Sequence, residues 1–146
     1  MRPQVVPVGL DVSHTGRLLS RAFNDTLVAA GGSLPQWLVL TALKQGDHAM
    51  QRDVADAIGI EGATLTHHLN RMEDDGFVKR ERSSGDRRSH LVTLTPAGEQ
   101  QFAALLREVV AFDQQLSAGF SERELTTLRK LLGRLRTNVA ADDDTR

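Results

Sequence analysis

The chain of 146 residues contains no cysteine. That absence removes disulfide frameworks, thiolate zinc sites, cysteine nucleophiles and thiol-based peroxide sensing together. No apolar run approaches the roughly 18 residues needed to span a bilayer. The opening MRPQVVPVGLDVSHTG also lacks a basic region followed by an apolar stretch. A cytoplasmic protein with no membrane partner is expected. An excess of one charge is missing too: 18 Lys and Arg against 19 Asp and Glu leave a formal net charge of -1. Affinity for nucleic acid therefore has to come from local clustering rather than from the whole chain. There is no Gly-rich phosphate loop, no HExxH and no serine elbow. With cysteine absent as well, no catalytic set is recognisable; an enzyme is not expected, and neither is a cofactor.

What remains is an ordinary globular composition, 40% hydrophobic and 25% charged, in a length that suits one domain, residues 1–146, with a real core. Leu18, Leu19, Ala22, Phe23, Thr26, Leu27 and Ala30 recur at helical spacing before Gly31 and Gly32, which predicts a first helix over about 10–30. Ser33 is placed to cap a second helix with Pro35 in its first turn, ending at Gly46. Val54, Ala55 and Ile58 mark a third helix closed by Gly59, and Leu65, Leu69 and Met72 mark a fourth closed by Gly76. Two short helices about three residues apart are the pattern of a helix-turn-helix.

The periodicity then changes. Residues 77–80 and 90–94 read as strands joined through Ser83, Ser84, Gly85 and Asp86, a hairpin with five cations between Gly76 and His90: Lys79, Arg80, Arg82, Arg87 and Arg88. Thr95 and Pro96 open a fifth helix with Phe102, Leu105, Leu106, Val109 and Leu116 on one face. Ser121 and Glu124 form a capping box for a sixth, with Leu125, Leu128, Leu132, Leu135 and Val139 in its stripe. Asp142, Asp143 and Asp144 are expected to fray. The terminal helices carry more apolar surface than a small winged lobe can use, and burial against a second copy is the simplest outlet.

In a helix-turn-helix the second helix enters the major groove, so its outward residues should be compact, polar or cationic. With Leu65, Leu69 and Met72 inward, the outward set is Ala63, Thr64, Thr66, His67, Asn70 and Arg71. A solvated helix face would look similar, but a basic hairpin follows directly. There Arg87 and Arg88 suit the negative potential of a narrow minor groove, with Asp86 placed to orient one of them.

The order Val54-Ala55, then Gly76-Phe77-Val78-Lys79-Arg80, then Asp86-Arg87-Arg88, then Val92-Thr93-Leu94-Thr95-Pro96-Ala97-Gly98 resembles the MarR family, the multiple antibiotic resistance regulators, over nearly the whole chain. The resemblance implies a mainly α protein with a small β-hairpin wing. Its winged helix-turn-helix lobe would cover about 34–95, and its dimerisation helices about 10–30 and 96–140. It further implies a homodimeric transcription regulator binding double-stranded DNA at a pseudo-palindromic operator as a repressor, with release by a small aromatic effector. Arg87 and Arg88, with Asp86, fall where the family's wing arginines lie. Glu61 stands where such proteins often have a Ser or Thr cap. The alternative is an architectural or protein-interaction winged-helix protein without an effector.

Adjacent His67 and His68 point about 100° apart on a helix and make a poor chelate, and no His follows His90, so a metal site is not expected. His14 and Arg17, with Trp37, are the candidate effector pocket, since a cation and an imidazole over apolar walls suit an aromatic acid. Ordinary polarity at a dimer interface would produce the same residues.

Overall fold

The computed structural model describes residues 5–46 and 49–143, the side chains of 49, 86–89 and 141–143 excepted. Six helices and three strands follow in the order α1 (Val8–Ala29), α2 (Leu34–Gln45), β1 (Ala49–Met50), α3 (Gln51–Ile58), α4 (Gly62–Asp74), β2 (Val78–Ser83), β3 (Asp86–Leu94), α5 (Pro96–Leu116) and α6 (Glu122–Asp143). The chain divides after Val110 into two compact units.

In the first unit, α1 ends where Gly31 adopts φ +83°. Gly31 N–H reaches Val28 O at 3.0 Å and Gly32 N–H reaches Leu27 O at 2.8 Å, which satisfies carbonyls the helix would otherwise leave open. Ser33 Oγ accepts the Gln36 N–H at 3.2 Å and Pro35 sits in the first turn, so α2 starts as its sequence predicts. Val39, Leu40 and Leu43 of α2 are buried with Leu27, Val54, Leu65, Leu69, Met72, Val78, Val92 and Leu105. This core sits beneath the helix-turn-helix and sets the face that α4 turns outward. α5 packs onto α2 in the same unit: Trp37 stacks on Phe102 with centroids 5.4 Å apart, and Lys44 Nζ meets Glu99 Oε2 at 2.8 Å.

The wing is a three-stranded antiparallel sheet ordered β1-β3-β2 rather than a bare hairpin. β1 pairs Ala49 with Val92 and Met50 with Leu91, using the edge of β3 that β2 leaves free. The hairpin strands also run closer to the turn than the sequence indicates, with Ser83 opposite Asp86 and an irregularity between Arg82 and Ser83.

The second unit holds the end of α5, the turn at Gly119 with φ +83°, and α6. The capping box forms as expected: Ser121 N–H donates to Glu124 Oε2 at 2.7 Å, and Glu124 N–H donates to Ser121 Oγ at 3.2 Å. α6 continues through Asp143; of the residues expected to fray, Asp144 lies outside the described residues. Among the described residues no single helix is long and apolar enough to cross a membrane.

Candidate nucleic-acid interface

The turn between α3 and α4 is made by Gly59, whose φ of +72° lies in the left-handed region. Its N–H and that of Ile60 both return to Ala55 O, at 2.9 and 3.1 Å. Glu61 then precedes α4 without a side-chain cap, as its identity predicts. The first-turn amides of α4 are left for an outside acceptor, which at a helix start favours an anion such as a phosphate oxygen.

Leu65, Leu69 and Met72 are buried. Ala63, Thr64, His67, Asn70 and Arg71 are exposed on α4, and Thr66 is half-buried. Thr66 is already engaged: its Oγ1 donates to Gly62 O at 2.9 Å and accepts from Gln51 Nε2 at 2.7 Å. The hydroxyl thus ties the first residue of α3 to the second helix and fixes the angle at which α4 is presented. Burial holds the pKa of His68 below its ordinary value, helped by the charges of His67 and Arg71.

Asn70 is engaged as well. Arg80, from β2, donates through Nη2 to Asn70 Oδ1 at 2.5 Å and through Nε to Glu73 Oε2 at 2.6 Å. Gln51, Glu73 and Arg80 were not among the sequence candidates. For Arg80 a signal existed: strand alternation places it on the same face as buried Val78, and Asn70 and Glu73 lie three residues apart on the helix that this face meets. The basic stretch is correspondingly less free than its cation count implies. Lys79 pairs with Glu81 at 2.8 Å, which raises the lysine pKa and lowers that of the carboxylate. Arg82 is exposed. The backbone of Asp86, Arg87 and Arg88 opens β3 directly after the turn; their side chains lie outside the described residues.

A cleft of about 770 Å³ opens beside this face, bounded by Met50, Arg52, Ala55, Ile60, Thr66 and Arg80 among others. A smaller one of about 160 Å³ lies between the Gly31–Ser33 turn and His68, Arg71 and Asp75. Of the residues expected to form an effector pocket, His14 and Arg17 are exposed on α1 and Trp37 is half-buried against Phe102. None of the three lines either cleft. No group of three or more His, Asp or Glu side chains placed to hold a metal occurs among the described residues.

Residues 33–90 match the model of the MarR family. The chain is 30% identical over 131 residues to the HTH-type transcriptional regulator PecS of Dickeya dadantii, covering 88% of this chain and 79% of that one. It is 27% identical to the HTH-type transcriptional regulator YwoH of Bacillus subtilis, covering 77% of this chain and 82% of that one. A mutant MarR from E. coli in complex with operator DNA superposes with a TM-score of 0.79 at 23% identity, over 90% or so of each chain, 89% here and 94% there. The PcaV transcriptional regulator of Streptomyces coelicolor, in complex with its natural ligand, gives a TM-score of 0.77 at 23% identity, over 91% of this chain and 96% of that one.

Proposed function

The chain belongs to the MarR family of transcriptional regulators, and on that premise we propose that it is a homodimeric repressor. It would act in the cytoplasm, occupying a pseudo-palindromic operator and leaving it when a small aromatic effector binds. The observation that carries this reading is the state of α4: three buried aliphatics on one side, five exposed compact, polar or cationic residues on the other, and an uncapped start. A major groove requires that division. The wing adds a second contact through Arg87 and Arg88, oriented by Asp86, in the flanking minor groove.

Dimerisation is supported by apolar surface that each unit leaves uncovered. Val8, Leu10, Val12 and Leu18 are exposed on α1, whose only fully buried residue is Leu27. Leu116, Phe120, Leu128, Leu131 and Val139 are exposed in the second unit. Side chains of this kind in helical stripes call for a partner.

Effector release draws on the likeness to PcaV, which was solved with its natural ligand. In this chain the cleft of about 770 Å³ is within the size range of small-molecule sites. A ligand there would press on Thr66 and Arg80, the residues that hold α4 and Asn70.

The test is a gel shift with the region upstream of the chain's own gene against a shuffled duplex, across a salt series. Retention of the native sequence at a salt concentration that strips the shuffled one supports an operator. Equal loss of both duplexes at modest salt supports the architectural alternative.

A further inference from the structure

We propose that Arg80, which need touch no base itself, decides which base Asn70 reads, by holding the amide oxygen of Asn70 toward β2 and leaving the NH2 group to meet the base. The inference rests on the operator-binding reading above and sharpens it at one position of each half-site.

The chemistry at this contact is one-sided. A guanidinium has five N–H donors and no acceptor, so the Asn70 atom facing Arg80 has to be its carbonyl oxygen, and the orientation of the amide is thereby fixed. Arg80 is itself held. Its Nε is bound to Glu73 Oε2 at 2.6 Å, one turn along α4 from Asn70, and its side chain is only 19% exposed. Both bonds involve an ionised donor, and the second ends on a carboxylate, so they are of the stronger class.

An asparagine reads adenine by laying both amide atoms along one base edge, its oxygen accepting from N6 and its nitrogen donating to N7. Asn70 has its oxygen turned to β2 and engaged at 2.5 Å. The oxygen keeps a second lone pair, but the bond to Arg80 directs it to β2, and the NH2 group is the part of the amide left free of that bond. It therefore matches an acceptor edge best, guanine O6 and N7 or thymine O4, whereas adenine offers it N7 alone and no bidentate pair. Arg80 is a positioning residue in this scheme, and Glu73 keeps it in place.

The experiment is selection of bound duplexes from random DNA by the full-length parent and by Asn70→Ala, Arg80→Met and Glu73→Gln. Circular dichroism and affinity for random DNA confirm that each variant is folded. The base pair whose preference disappears with Asn70→Ala is the one Asn70 reads. In the parent that pair should be guanine or thymine on the contacted strand. Arg80→Met frees the oxygen and should move the preference toward adenine by about tenfold, on the scale of one bidentate contact. Glu73→Gln should move it the same way by less.

A parent that already selects adenine at that pair overturns the inference. So does a folded Arg80→Met protein with the parent's profile, or an Asn70→Ala protein that loses no preference. A parent that selects no sequence at all overturns the operator reading itself, which is a different and recognisable result.

Discussion

Gly98 shows how a single residue can be required for a reason outside its own helix. A Cβ built there would stand 2.0 Å from the carbonyl oxygen of Phe77, a backbone atom that cannot swing aside. Thr95 makes the same junction from its other side. Its hydroxyl donates to Gly76 O and accepts the Gly98 N–H at 3.0 Å, while its own N–H reaches Phe77 O at 3.1 Å. The Thr-Pro-Ala-Gly run is thus the fastening between the end of α4 and the start of α5. Gly98→Ala should destabilise the protein by about 3 kcal/mol, the upper part of the overpacking range, read as a lower urea midpoint at unchanged slope. An unchanged midpoint would mean that the junction yields at little cost. His68 gives a second prediction at this scale. Its folded pKa lies below the ordinary 6.5, with burial as the first cause. Between those two values the unfolded chain binds more protons than the folded one, so stability falls as the pH drops below about 6.5. Urea midpoints from pH 7.5 to 5.5 should fall less steeply for His68→Gln than for the parent, and equal slopes would exclude His68 as the source. Neither feature can be read from neighbours in sequence, because the Phe77 carbonyl and the desolvation of His68 both come from packing between elements. The inward position of Leu65, Leu69 and Met72, by contrast, follows from spacing alone.

At the level of elements, legibility followed the length of the periodic signal. The long helices, the Ser33 cap and the Ser121–Glu124 box stood out because each has a local chemical cause within a few residues. β1 did not, since two residues carry no alternation, and Ala49 and Met50 are extended only because β3 offers them a free edge. The tie of Thr66 to Gln51 was hidden for a related reason, and that of Asn70 to Arg80 showed only through the alternation of β2. Both join residues on different elements, ten or more positions apart. The wing is where an element-scale test applies. Two of its cations, Lys79 and Arg80, are already paired within the chain, which leaves Arg82, Arg87 and Arg88 for DNA, with Arg87 and Arg88 next to the turn. Replacing both by Ala should weaken binding to every sequence and flatten the dependence of log K on log salt, since fewer counterions are released. The loss should be largest for sites with A·T-rich flanks, where the minor groove is narrow. A folded double variant with the parent's affinity and salt slope would exclude the wing as a DNA element.

For the whole molecule, the chain's net charge of -1 and its lack of cysteine leave little that composition alone could reveal about DNA. The proposed activity comes instead from arrangement: an outward face on α4, a wing beside it, and uncovered apolar stripes on α1 and in the second unit. If those stripes bring two copies together, two recognition helices are related by a twofold axis, and the DNA has to show the same symmetry. Hydroxyl-radical footprinting of the tightest duplex selected from random DNA reads that symmetry directly. The expected pattern is two protected segments in inverted orientation, with centres about 10–10.5 base pairs or a multiple of that apart. A single protected segment, or protection spread evenly over the duplex whatever its sequence, would contradict a paired-lobe regulator.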